Sequence, residues 1–364
     1  MITKPSKYAG TAFRISDDMH KSNTGIQHAS IPMQLVGPVT ITGDVVNDSV
    51  KLPLATYETP LWLSVGRGAR VASMAGGVQT TVIDERMTRS VLLEAGDASK
   101  ALATWHKLQE RKDEMNRVVR ESSRYAQLID MHSQIIGNLL YIRLEYLTGD
   151  ASGHNMATLA SEKLQDWILT EYPELRYCSI SSNYCTDKKA AAVNGILGRG
   201  KNVVAELLIS REICRRRLRT TPERIVDLNI KKNLLGTILA GGIRSANAHF
   251  ANMLLGFYLA TGQDAANIVE GSQGIVHAEV RKDDLYFSVN LPNLIVGTVG
   301  NGKGLDFVKR NLDLLGCCEN REPGANARRL AVICAVTVLC GELSLLAAQT
   351  NPGELMTSHL KLER

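Results

Sequence analysis

The sequence has few aromatic residues, 5% of 364, with only 5 Phe and 3 Trp, so a core of the size this length allows must be mainly aliphatic. Its 7 cysteines are an odd number and show no Cys-x-x-Cys spacing. That pattern excludes a disulfide framework or a zinc ribbon and reads as reduced thiols in a cytosolic, cytoplasmic protein. No His-Glu-x-x-His or similarly compact ligand motif occurs among the 8 histidines, so no metal is expected. Neither sign of charge dominates: 42 basic against 37 acidic residues leave +5, too little for a nucleic-acid footprint but compatible with anionic small molecules. The longest apolar run, from Leu330 to Cys340, meets Gly341 and Glu342 well short of the roughly twenty residues a membrane span needs. The opening MITKPSKYAGTAFRISDD lacks the apolar stretch of a secretory signal. The expectation is a chain without membrane or nucleic-acid partners.

What is present is an ordinary globular composition, 44% hydrophobic and 22% charged, long enough for two domains at roughly 150 residues each. Residues 33–89 are rich in Gly, Val and Thr and read as strands and tight turns, with a helix after Glu58. Asp97 suits an N-cap for a long helix with Ala101, Trp105, Leu108, Met115 and Val119 along one side. LLYIRLEYL then alternates at period two, Leu140, Ile142, Leu144 and Tyr146 opposing Arg143 and Glu145. A helix over about 155–171 and an extended LRYCSISS complete a small α+β module. The remainder is glycine-rich and apolar like residues 33–89, with helix candidates near 244–261, 264–271 and 326–349. The fold class predicted is therefore α+β, a large domain (1–90 and 179–364) interrupted by a small one (91–178).

No Gly-x-Gly-x-x-Gly follows a strand, which argues against a Rossmann site, and no Gly-x-Ser-x-Gly elbow occurs. In GTVGNGKG, Gly297, Gly302 and Lys303 fit a phosphate loop, but Gly304 stands where Ser or Thr would hold magnesium. What stands out is polar chemistry in apolar or glycine-rich surroundings. Glu58 in LPLATYETPL would be partly desolvated and hold its proton more tightly. Lys188 and Lys189 form a like-charged pair beside Asp187, Asp264 opens a helix as an N-cap, and Asn247, His249 and Asn252 share helical spacing. Each has an ordinary reading: a surface acid, a solvated turn, a cap, a satisfied core histidine. His359 reads as a tail residue and CRRRLR, Cys214 to Arg219, as a solvated helix face.

Taken in order, LPLATYE, RGAR, MTR, GDASGHNM, NYCTDKKAAAVN, GRGKNVV, NIKKNLLGTILAG, NAHFAN, GQDAAN, GTVG, PGANARRLA and GELSLLAA resemble the 3-hydroxy-3-methylglutaryl-CoA (HMG-CoA) reductases over nearly the whole chain. The resemblance implies a two-step, four-electron reduction of HMG-CoA to mevalonate and CoA with two reduced nicotinamides. It assigns Glu58 as catalytic acid, Lys188 as the lysine at the reacting carbonyl oxygen, Asp264 as the buried aspartate coupling them, and His359 as the group that protonates the departing thiolate. For substrate it implies Ser64, Arg67 and Arg70 near the CoA phosphates, and Arg89, Ser181, Asn183, Asp187, Lys189, Lys232, His249 and Asn252 around the acyl group. For cofactor it implies Ser123 and Arg124 at the adenosine 2′-phosphate, favouring NADPH over NADH. Asp150, Ser152, Gly153, His154 and Asn155, with Gly297, Thr298, Val299 and Gly300, would cradle the rest. The small module becomes a ferredoxin-like, non-Rossmann NADP(H)-binding domain, and active sites are expected between the subunits of a homodimer or higher oligomer.

Departures from the family pattern are Tyr57 and Pro60 beside the acid, Ser152 and His154 for methionines, Asn301 and Lys303 after GTVG, and Ala325 for an acid. The chain looks closest to a soluble class I catalytic core. Two other functions stay open on sequence: a degradative, NAD-dependent enzyme oxidising mevalonate, and a catalytically silent CoA-binding relative.

Overall fold

The computed structural model describes residues 29–356, and its main compact unit begins at Pro32. Nine strands carry the fold of the described residues: β1 (Met33–Gly43), β2 (Asp48–Ala55), β3 (Val78–Glu94), β4 (Gln127–Ile136), β5 (Leu139–Leu147), β6 (Arg176–Ser179), β7 (Gly200–Ile209), β8 (Ile275–Arg281) and β9 (Asp284–Leu294). They run in the order β2-β1-β3-β7-β9-β8, with β5 and β6 also on β3 and β4 on β5. The architecture is mixed helix and sheet, and the strand pairs are antiparallel apart from β1 with β3.

The 17-residue β3 does two jobs. Residues from Gln79 to Arg86 pair with β7, and Met87 to Glu94 pair with β5. One strand therefore passes from one hydrophobic cluster to another. The first cluster gathers Val39, Ile41, Leu52, Leu54, Val203, Phe287 and Val289 around Ala325–Gln349. The second joins Val91, Leu93, Leu140, Ile142, Leu144 and Tyr146 to Leu108, Met115, Val119, Leu164 and Ile168.

Helix Ala325–Gln349 lies where the sequence placed it, and it runs through Gly341 and Glu342. One expectation is corrected: by length and composition it could cross a membrane, yet 94% of its apolar window is buried inside the fold. Close packing explains the glycine, because a Cβ at Gly341 would lie 2.4 Å from Met253 Sδ. The opposite wall is equally tight: a Cβ on Gly68, in helix Pro60–Met74, would lie 2.0 Å from Cys340 O.

In the smaller cluster Asp97 caps its helix, accepting from Lys100 N–H at 2.8 Å. The expected single helix is two, Ala98–Glu110 and Lys112–Ser122, broken at Arg111. That guanidinium donates to Glu114 and Glu171 and lies 4.5 Å from the Trp167 ring centroid. The polar face of β5 is buried too: Arg143 and Glu145 are both 0% exposed. Arg143 donates to Glu145 Oε1 at 2.8 Å and to Gly198 O at 2.5 Å, so neither charge is left unpaired in the interior.

Candidate active site

The segment 183–189 is held in an unusual backbone shape. Asn183, Thr186 and Lys188 all have positive φ, at 60°, 36° and 55°. A non-glycine residue in this region costs about 1 kcal/mol, so three in one short loop persist only because neighbours hold them. Cys185 N–H donates to Ser90 Oγ at 3.2 Å, Asn194 Nδ2 to Thr186 O at 3.1 Å, and Lys188 N–H to Glu270 Oε1 at 3.1 Å. Buried Arg199 donates to Asp187 Oδ1 at 2.9 Å and to Thr88 O at 2.6 Å.

The loop aims Lys188 Nζ at Asp264 Oδ2, 2.7 Å away, with both side chains a little under half exposed. Asp264 also works as the cap expected of it, its Oδ1 accepting from Ala266 N–H at 3.1 Å. The hydrogen bond to Asp264 holds the Lys188 ammonium above its ordinary value despite partial burial. Burial pushes Asp264 up, but hydrogen bonds from Lys188 and Ala266 outweigh it, and the carboxyl stays below its usual range. Lys189 Nζ donates to Asp187 O at 3.1 Å, and Ser181 N–H to Ser179 Oγ at 3.1 Å. Arg89 donates to Thr158 Oγ1 at 2.5 Å, on helix His154–Glu171.

That helix starts beside the loop. Gly153, φ 98°, is its N-cap, and no side chain caps it, which leaves first-turn amides suited to an anion. A Cβ at Gly153 would lie 2.7 Å from Thr148 Oγ1 and 2.9 Å from Met87 Cγ, so glycine is required. The Asp150 loop is laced to the Gly297 loop: Thr298 N–H donates to Asp150 O at 2.8 Å, and Ala151 bridges Val299. Asp150 Oδ1 accepts from Ala327 N–H at 2.9 Å, tying both loops to the start of helix Ala325–Gln349. Beyond it, Gly300 turns the loop with φ 101°. His154 Nε2 lies 3.3 Å from Asn267 Nδ2 and 3.7 Å from Asp187 Oδ1, and burial, then Arg199, lowers its pKa. Ser152 and Asn155 flank it in the same turn. Next to the Asp150 loop, where a Cβ on Gly149 would lie 3.9 Å from Tyr125 Cβ, Ser123 Oγ accepts from Tyr125 N–H and the Arg124 guanidinium lies 4.7 Å from the Tyr125 ring centroid.

A second group forms at the start of helix Phe250–Ala260. Asn252 Nδ2 donates to Glu58 Oε2 at 3.0 Å, and His249 Nε2 lies 3.1 Å from Gly341 O. Burial lowers the His249 pKa to about 4, and burial also lowers that of Lys232. Arg67, on helix Pro60–Met74 with Ser64 and Arg70, donates to Ser344 Oγ at 3.0 Å and pairs with Glu354 at 2.6 Å. From Asn252 to Ala260 the helix rises roughly 12 Å, and Asp264 follows Ala260. Glu58 and the Lys188–Asp264 pair therefore sit toward opposite ends of one helix. His359 lies outside the described residues.

Several residues of these groups escaped sequence reading. Glu342 is fully buried, accepts from Ala248 N–H at 2.9 Å and His249 N–H at 2.6 Å, and has its pKa pushed up to about 7 by burial. A lone acid in an otherwise apolar helix was the available signal. Arg199 lies inside GRGKNVV but was given no role, and Glu270 had no signal beyond a glycine-rich segment. The structure also assembles a His/carboxylate cluster no local motif announced: Asp130, His132 and Glu145 fall within 4.8 Å of one another across β4 and β5. Glu145 there is already engaged by Arg86 and Arg143. CRRRLR forms a wide helical turn, with Arg216 pairing with Glu212 at 2.9 Å.

Comparison with known proteins adds a family. Residues 17–364 match the family model described as hydroxymethylglutaryl-coenzyme A reductase. A 3-hydroxy-3-methylglutaryl-coenzyme A reductase of Pyrococcus abyssi is 46% identical over 327 residues, covering 87% of this chain and 78% of the relative. One from Haloferax volcanii is 40% identical over 335 residues, covering 92% and 82%. Among solved structures, the class II 3-hydroxy-3-methylglutaryl-CoA reductase from Streptococcus pneumoniae bound to NADPH superposes with a TM-score of 0.73 at 21% identity, over 91% of this chain and 88% of that one. At that identity the likeness is one of fold.

Proposed function

The chain belongs to the hydroxymethylglutaryl-coenzyme A reductase family, and from that premise we propose that it reduces HMG-CoA to mevalonate and CoA, using two NADPH. The observation that carries the reading is the Lys188–Asp264 pair, 2.7 Å apart, with Lys188 on a loop whose strained backbone is fastened from several sides.

The smaller hydrophobic cluster, over about 91–178, is proposed as the ferredoxin-like, non-Rossmann cofactor domain. Its fit to a dinucleotide rests on the uncapped turn at Gly153, where a Cβ would collide and the first-turn amides are available to a phosphate. Arg124 offers a planar, always-charged donor to a 2′-phosphate. Each reduced nicotinamide, when bound, would supply one hydride, so two are used in succession.

The side chains manage charge and protons. As a carbonyl oxygen gains negative charge, the Lys188 ammonium stabilises it, and Asp264 keeps that ammonium protonated and aimed. Glu58, oriented by Asn252, is the proton source for the oxygen, and His359 protonates the CoA thiolate so that the aldehyde is not recaptured. Arg89, Ser181, Asn183, Asp187, Lys189, Lys232 and His249 surround the acyl group. Ser64, Arg67 and Arg70 lie toward CoA.

Because Glu58 and Lys188 sit toward opposite ends of one helix, each chain is read as supplying two half-sites, completed in a homodimer. Mixing Glu58→Ala with Lys188→Ala chains tests this. Random reassociation makes half the dimers mixed, each with one intact site, so about a quarter of wild-type activity returns. Sites built within one chain would stay dead on mixing.

A further inference from the structure

We propose that Glu270 is a positioning residue for Lys188, its carboxylate fixing the backbone from which the catalytic ammonium projects; this rests on the role of Lys188 given above. The Lys188 N–H donates to Glu270 Oε1 at 3.1 Å, at a residue whose φ is 55°. The other ties on the loop grip Cys185, Thr186 and Asp187. Glu270 grips the peptide of Lys188 itself.

The same short segment, 264–270, also supplies Asp264, which holds the Nζ end. Lys188 is thus fastened at backbone and side chain by one piece of chain, and the direction of its ammonium follows that piece. Glu270 is 0% exposed, so bulk water does not compete for its oxygen. Its charge is faced by Arg199, whose Nε lies 3.7 Å from Oε1 while the guanidinium also holds Asp187. Oε2 has no hydrogen-bond partner among the described residues. A buried acid with one idle oxygen is costly to keep for packing, which a Leu or Met would serve better. The oxygen in use is the one on Lys188.

The test compares Glu270→Ala, Glu270→Gln, Lys188→Ala and the Lys188→Ala/Glu270→Ala double variant in the full-length chain. Glu270→Ala should lower kcat on the order of 10- to 100-fold, leaving KM for NADPH within about twofold. Glu270→Gln keeps an oxygen acceptor and should recover kcat to within about threefold of wild type. In the Lys188→Ala background, Glu270→Ala should change nothing further. If Glu270→Ala does not accumulate folded, Glu270→Met fills the space without an acceptor and takes its place. Wild-type kcat in Glu270→Ala, a Gln variant as poor as the Ala one, or an undiminished effect without Lys188 would each overturn the proposal. Normal turnover by Lys188→Ala would instead sink the functional reading itself.

Discussion

Replacing Lys188 separates what its ion pair does for chemistry from what it does for the fold. The two side chains are 42% and 45% exposed, so the pair contributes no more than about 1 kcal/mol to stability. As the oxyanion donor proposed above, the same ammonium would be worth roughly 3–4 kcal/mol of barrier, or about 10²- to 10³-fold in kcat. Lys188→Ala should therefore unfold in urea within about 1 kcal/mol of wild type while turning over HMG-CoA hundreds of times more slowly. The backbone adds a sharper test. At φ 55° glycine avoids a cost of about 1 kcal/mol that alanine retains. Lys188→Gly should be the more stable variant by that amount, and equally inactive. Urea melts followed by tryptophan fluorescence, with initial rates on the same preparations, measure both. An alanine variant keeping a tenth of wild-type kcat would refute the chemical role, and a glycine variant less stable than alanine would refute the strain.

Other consequences are as direct. Glu342 is raised from 4.5 to about 7 by burial, so the folded chain holds a proton that the unfolded chain releases between those values. Its contribution to stability is lost as pH rises through that window, by about 3 kcal/mol at most. Glu342→Gln should flatten this part of the profile in urea melts at pH 5 and pH 8, and an unchanged slope would count against it. Gly68→Ala must push a methyl into Cys340 O, 2.0 Å away, and should cost about 3 kcal/mol or more in the same melts; a loss under about 1 kcal/mol would show that the helices part easily. Arg124→Ala should shrink the preference for NADPH over NADH by about tenfold, as the ratio of kcat/KM values would show, and an unaltered ratio removes Arg124 from the cofactor site.

Local signals in the sequence carried well. The alternation Leu140, Ile142, Leu144, Tyr146 marks the buried face of β5, and Asp97 caps where expected. Periodicity went astray where distant partners intervene. The helix expected from 244 begins only at Phe250, because Ala246 bridges Ile275 and Asn247 donates to Ser272 O and Gly274 O. The wide helical turns at Cys214–Leu218 and Asn229–Gly236 leave no trace in apolar spacing. In the site, residues within recognisable motifs were visible, whereas their supports were not. Glu342 meets His249 across 93 positions and Glu270 meets Lys188 across 82. A one-dimensional pattern cannot show that a lone buried acid has two amides waiting for it.

A four-electron reduction at a site built around Lys188 can be followed through absorbance at the reduced-nicotinamide band together with free thiol as the chain consumes HMG-CoA. Two NADPH should be oxidised for each CoA released, with mevalonate as product. Release of CoA without NADPH oxidation, or one NADPH per CoA with aldehyde accumulating, would rule that reaction out.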